Sequence, residues 1–148
     1  MKLIEKYDIQ TEGKNCLVVG RSNIVGRPMS ILMSLRGRYG NSTVTLAHSK
    51  SKNLAELTLK ADIVIMALGI PEFLKSDMIK KDSTIIDVGI TRVEDKSKRK
   101  GYIIKGDVDF DSVSKKAKFL TPVPGGVGPM TIAMLLQNTL DARLLISS

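Results

Sequence analysis

Tryptophan is missing from this chain of 148 residues, and three Tyr and three Phe are its only other aromatic rings. A core of ordinary size must therefore be built from Val, Ile, Leu, Met and Ala. The lone cysteine, Cys16, excludes an intrachain disulfide and any multi-cysteine metal site. It opens an apolar run, where a small buried side chain fits, and such cysteine usage is compatible with a reducing cytoplasm. No apolar run approaches the roughly 18 residues that cross a bilayer, and there is no signal-peptide pattern, so no membrane partner is expected. Acids are scarce beside bases: 15 Asp and Glu against 23 Lys and Arg, a net charge of +8. The excess is spread over Arg36 and Arg38, Lys50 and Lys52, Lys80 and Lys81, Lys96 to Lys100 and Lys115 to Lys118, without interleaved aromatics. Scattered charge reads as solvated surface rather than a nucleic-acid interface, with a few cations free to steer an anionic ligand. A Ser–His–Asp grouping, clustered metal ligands and convincingly paired carboxylates are all lacking.

What is present is alternation. Met1 to Asp8 reads as the end of an amphipathic helix with no N-cap before it, the mark of a piece cut from something longer. Strands are expected at Cys16 to Val19, Thr43 to Ala47, Ile63 to Ala67, Thr84 to Val88 and Phe119 to Val123. Helices are expected at Ile24 to Leu35, Asn53 to Lys60, Ser76 to Ile79, Asp109 to Lys116 and Met130 to Leu144, the last with Ile132, Ala133, Leu135, Leu136 and Leu140 as its apolar stripe. Arg92 to Tyr102 reads as a charged hairpin tip, with Tyr102 to Lys105 as the return strand. The apolar runs at 17–19, 63–67 and 85–88 argue for a parallel sheet buried on both faces. That is the doubly wound α/β class, in three layers. No repeat or interdomain linker is visible, so residues 1–148 read as a single domain.

Ligands of this class bind at the carboxyl ends of the strands. The first such end, Gly20-Arg21-Ser22-Asn23-Ile24-Val25-Gly26-Arg27-Pro28, has the grammar of a strand, a tight turn and a helix N-terminus, which favours an anion. It is not a clean G-x-G-x-x-G: Ser22 holds the second place and Val25 the third, with Gly26 one position late. Ser22 and Asn23 are both candidate helix caps. A fold selective for NAD would place an acid at the end of the second strand, about 20 residues on. Here His48, Ser49, Lys50 and Lys52 stand there, Ser49 lying 29 positions after Gly20, with no acid until Glu56. A hydroxyl and cations suit a 2′-phosphate, so the pattern favours NADP over NAD. The third and fourth ends carry Gly69 and Gly89-Ile90, where glycine lets a ligand approach the backbone. His48 as a general base is a competing reading, as is a non-catalytic nucleotide- or nucleic-acid-binding domain. Tyr102 and Lys105 lie three apart on an expected strand and so face opposite sides, which excludes a Tyr–Lys pair.

Val19 to Pro28, Ile86-Asp87-Val88-Gly89-Ile90, Gly106-Asp107-Val108 and Thr121-Pro122-Val123-Pro124-Gly125-Gly126-Val127-Gly128-Pro129-Met130-Thr131, in this order, resemble the methylenetetrahydrofolate dehydrogenase/cyclohydrolase family. The resemblance covers essentially the whole chain. It implies a Rossmann-like NADP-binding domain of an enzyme that oxidises 5,10-methylenetetrahydrofolate and hydrolyses the methenyl product to 10-formyltetrahydrofolate. It further implies that Gly20, Arg21 and Ser22 hold the cofactor phosphates, with Arg21 and Ser49 at the 2′-phosphate. Gly69 and Ile90 would line the nicotinamide side with Thr131 near it, Val25, His48 and Gly89 would also belong to the cofactor site, and Pro124 and Gly125 would form part of the folate wall. The family's catalytic Tyr-x-x-x-Lys, Gln and Asp belong to an N-terminal domain without counterpart in this sequence. The chain alone is thus expected to bind NADP weakly, without turnover. A folate substrate shared with that N-terminal domain, a homodimer and a cytoplasmic location are implied in the same way.

Overall fold

The structure is a computed structural model that describes residues 1–147. Five parallel strands form one sheet: β1 (Asn15–Val19), β2 (Thr43–Ala47), β3 (Ile63–Met66), β4 (Thr84–Asp87) and β7 (Phe119–Leu120), ordered β2-β1-β3-β4-β7. Side chains of β1 alternate between the two faces, and both faces are buried. Leu17 and Val19 join Val64, Met66 and Ile85 on one face, beneath α3 (Leu54–Lys60) and α4 (Phe110–Val113). Cys16 and Val18 join Ile63, Ile65 and Ile86 on the other, with Ile4 of α1 (Lys2–Lys6) and Met33 of α2 (Gly26–Ser34). This is why the strands read as continuous apolar runs rather than as alternating ones. The fold is the expected α/β, Rossmann-like sheet with helices on its flanks.

The remaining strands, β5 (Thr91–Glu94) and β6 (Tyr102–Lys105), pair antiparallel outside the main sheet. Their charged tip is exposed, as its composition demands. Lys105 binds Glu72 at 2.6 Å, while the Tyr102 ring lies under Arg92, 4.9 Å from guanidinium to centroid. The two side chains thus serve separate ends of the strand.

Three boundaries differ by three residues from those expected. The fourth helix ends at Val113, because the backbone of Lys116 and Ala117 turns back onto the Val113 carbonyl before Lys118 joins the sheet region at Ser83. The last strand keeps only two sheet-paired residues, Phe119 and Leu120; Thr121 then donates to Ile85, and the prolines at 122 and 124 have no N–H to extend the ladder. The closing helix, α5 (Val127–Ile146), starts three residues early: Pro129 falls at its third position, where a missing N–H costs nothing. It buries none of its residues, and the expected apolar stripe faces outward, with Leu135 at 67% and Leu136 at 69% exposure.

Candidate functional site

Strand order reverses at β1, with β2 on one side and β3 on the other, and it is at the carboxyl ends of strands at such a reversal that sheets of this class bind ligands. Gly20 stands there with φ +125°, and its N–H bonds the Ala47 carbonyl at 2.8 Å. Gly26, four residues after Ser22, is packed so closely that a Cβ would lie 1.9 Å from the Gly20 carbonyl oxygen. Gly26 therefore performs the close helix-to-strand approach that the glycine pattern assigns to position 25. Val25 is instead the half-buried residue just before α2.

Ser22 acts as the cap of this turn. Its Oγ accepts the amides of Val25 at 3.1 Å and Gly26 at 3.4 Å, and its carbonyl accepts Arg27 N–H at 3.1 Å. Asn23 is no cap; its side chain accepts from Arg27 at 3.2 Å. Among the described residues, the N–H groups of Arg21, Ser22, Asn23 and Ile24 have no acceptor, and Arg21 is exposed without an ion-pair partner. Bare amides, a helix N-terminus and a free guanidinium form a donor set complementary to phosphate.

Val19 pairs with Ala47, so the turn after β2 lies beside Gly20 and Arg21 at the same sheet end. There the His48 amide donates to Ser51 Oγ at 3.0 Å, and His48 Nδ1 accepts the Lys50 amide at 3.1 Å. This fixes the ring as the Nε2–H tautomer and turns His48 into a brace for its own turn. Ser49, Lys50 and Lys52 are left exposed around it. Among the described residues of this turn, His48 to Lys52, none is acidic.

The second group of expected residues gathers at the ends of β3 and β4. Gly69 is exposed with φ +75°, Gly89 is buried and Ile90 projects at 64% exposure. Gly89 and Ile90 face Pro124 and Gly125 across a cleft of about 140 Å³ that also contains Ile104 and Val127. The Val123–Pro124 peptide is cis and Gly125 has φ +107°, and residues 122–129 of this loop line the cleft together with Asp87 and Val88 at the end of β4. Thr131 is further along, on the exposed part of α5, and its hydroxyl donates to the Val127 carbonyl at 3.1 Å.

One feature runs against the expectation that no convincing pair of carboxylates exists. Asp87 and Asp107, at 2% and 0% exposure, lie together under the second group. Asp87 Oδ1 accepts the amides of Gly89 at 2.9 Å and Asp107 at 3.1 Å, and Oδ2 accepts Val108 at 2.9 Å. Burial raises the Asp87 carboxyl to about 6, against the opposing pull of these three amides and with a further push from Asp107. A signal for this is present in the sequence: an acid closing the otherwise apolar strand Thr84–Asp87 must be buried and satisfied by backbone.

The residue pattern of residues 1–145 matches the family model "Tetrahydrofolate dehydrogenase/cyclohydrolase, NAD(P)-binding domain". The chain belongs to this family. It is 68% identical over all 148 residues to the bifunctional protein FolD of Flavobacterium johnsoniae, covering half of that relative. It is similar to the bifunctional FolD enzyme of Campylobacter jejuni, at 49% identity and a TM-score of 0.84, covering 95% of this chain and 46% of that one. The Trypanosoma brucei FolD structure, complexed with NADP cofactor and inhibitor, shares 42% identity with a TM-score of 0.87, again over 95% and 46% of the two chains. The chain thus spans about half the length of the curated relatives it matches. Among the described residues, no helix is long and apolar enough to cross a membrane.

Proposed function

We propose that this chain, as one domain over residues 1–148, is the NADP-binding half of a bifunctional one-carbon folate enzyme. The reaction is oxidation of 5,10-methylenetetrahydrofolate to the methenyl form, followed by hydrolysis to 10-formyltetrahydrofolate. The observation that carries this is the pair of neighbouring turns after β1 and β2. One offers four bare amides and Arg21, and the other offers Ser49 and two lysines where an NAD site needs an acid.

NADP, when bound, supplies the hydride acceptor. The residues of this chain do the holding. Gly20, Ser22 and Val25 shape the phosphate turn, and the amides of Arg21 to Ile24 meet the pyrophosphate. Arg21 and Ser49 take the 2′-phosphate, with His48 bracing their neighbour turn. Gly69, Gly89 and Ile90 flank the nicotinamide, Thr131 lies on the helix beyond it, and Pro124 and Gly125 form part of the folate wall. The groups that move protons on the folate come from the other half of the protein. The outward stripe of α5 is suited to cover that half or a second copy in a homodimer. A cytoplasmic location, without nucleic acid or membrane as partner, agrees with scattered charge and one buried cysteine.

Titration calorimetry with NADP and NAD tests the reading. NADP is expected to bind at least tenfold more tightly, and no heat with either, or a preference for NAD, overturns it. Dehydrogenase turnover by this chain alone would overturn the division of labour.

A further inference from the structure

Asp87 and Asp107 meet no lysine or arginine; among the described residues their carboxylates touch backbone amides alone. Asp107 Oδ2 accepts Leu68 N–H at 2.6 Å and Gly69 N–H at 2.9 Å, the two amides that close β3. Asp87 accepts Gly89 N–H, which closes β4, and the amide of Asp107 itself. A continuous run of hydrogen bonds therefore joins the turn after β3 to the turn after β4 through two carboxylates 20 residues apart in sequence. The backbone is carved to admit them. A Cβ on Gly89 would lie 2.3 Å from Asp107 Oδ1, and one on Gly106 would lie 2.0 Å from Asp87 Oδ2. Among the described residues, Asp107 Oδ1 is buried without a hydrogen-bond partner. Two cation-free carboxylates are an expensive way to fill a core, since apolar side chains of similar volume would be as stable or more so. What apolar residues lack is the ability to fix five specific amides, those of Leu68 and Gly69 after β3, Gly89 after β4, and Asp107 and Val108 after β6.

We propose that Asp107 is a positioning residue for the cofactor: together with Asp87 it locks the Leu68–Gly69 and Gly89–Ile90 turns into one preformed wall against which the nicotinamide is placed. The inference rests on the reading that the chain binds NADP. Asp107 touches none of the reacting atoms and acts through the turns it grips. Its negative charge is dispensable, because only one of its oxygens is used, so an amide oxygen in the same place serves the same two N–H groups.

The test compares Asp107→Ala, Asp107→Asn and Asp107→Glu with the unsubstituted chain, with far-ultraviolet circular dichroism as the check on folding. NADP is titrated by calorimetry, and amide hydrogen exchange is read at Leu68, Gly69 and Gly89 without cofactor. Asp107→Ala is expected to weaken NADP at least tenfold and to speed exchange at all three amides. Gly89 is included although its own acceptor, Asp87, is untouched. Asp107→Asn is expected to bind within threefold of the unsubstituted chain and to restore protection. Asp107→Glu, which keeps the charge but moves the oxygens, is expected to weaken NADP at least tenfold, and it decides the matter if the alanine variant does not fold. Unchanged NADP affinity in a folded alanine or glutamate variant, or unchanged exchange at Gly89 in the alanine variant, overturns the proposal. Failure of the unsubstituted chain to bind NADP overturns the functional reading instead, and the cofactor-free exchange data still decide whether Asp107 couples the turns.

Discussion

A Cβ placed on Gly20 would lie 2.2 Å from the carbonyl oxygen of Ala67. The ends of β1 and β3 touch there, backbone on backbone, at the point where strand order reverses. The neighbour is a backbone carbonyl one residue past β3 and has no flexible end that can swing aside. Gly20 also has φ +125°, which L side chains rarely adopt.

Gly20→Ala is therefore expected to lose about 2–4 kcal/mol of stability, from overpacking and backbone strain together. Urea unfolding measures this. Gly69→Ala gives the control: it has φ +75° but open space around it, so strain alone acts and the loss is expected to be about 1 kcal/mol. Equal losses at the two sites would refute the packing argument.

Much of this end of the sheet is legible in the sequence. Apolar runs that stop at or near a glycine, as Leu17 to Val19 stops at Gly20, mark β1, β3 and β4 to within one residue, because a strand buried on both faces has little choice of composition. Gly20, Ser22, Gly69 and Gly89 are legible as strand-end residues for the same reason. The role of Gly26 is not, since the spacing of the turn departs from the common glycine pattern and only the packing distance identifies the third close approach. The Asp87–Asp107 pair is hidden by the intervening hairpin, whose length carries no information about where its ends meet. The outward face of α5 looks like core because helical periodicity reports that a stripe will be covered, without saying by which part of a protein.

On the proposed reading, Arg21→Ala is expected to raise the Kd for NADP between about tenfold and a hundredfold while changing NAD binding little. A hydrogen bond to a charged group contributes about 1.5–3 kcal/mol, and NAD lacks the group concerned. Ser49→Ala should act in the same direction and more weakly. Calorimetry with both cofactors checks this, and a parallel loss for NAD and NADP would place Arg21 at the pyrophosphate instead.

Burial raises the Asp87 carboxyl from 3.8 to about 6 in the folded chain. The folded state then binds more protons than the unfolded state between those values, so this group's contribution is full below pH 4 and fades as pH rises through 6. The loss amounts to about 3 kcal/mol. Asp62 works in the opposite direction: Lys80 and the Asn15 amide lower its carboxyl, so its contribution fades only as pH falls below the ordinary carboxylate range. Urea unfolding between about pH 4 and 7 should thus show stability falling as pH rises. Asp87→Asn, neutral throughout, should flatten the profile, and a profile that rises across this window in the unsubstituted chain would refute the assignment.

Ile132, Leu136, Leu140 and Leu144 recur every four residues along one stripe of α5, at 67%, 69%, 54% and 61% exposure. Met33 on α2, at 0% exposure, belongs to the cluster beneath the sheet. Removing buried methylenes leaves a cavity, so Met33→Ala is expected to cost about 2–5 kcal/mol. Leu136→Ala and Leu140→Ala remove side chains that this chain does not bury, and each should change its stability by less than about 0.5 kcal/mol. The same stripe is a contiguous apolar surface, which in an isolated chain promotes association. Leu136→Glu with Leu140→Glu should therefore shift sedimentation toward monomer without changing the unfolding curve of the sheet. If Leu136→Ala proved as costly as Met33→Ala at concentrations where the chain is monomeric, the helix would have to pack on the sheet after all.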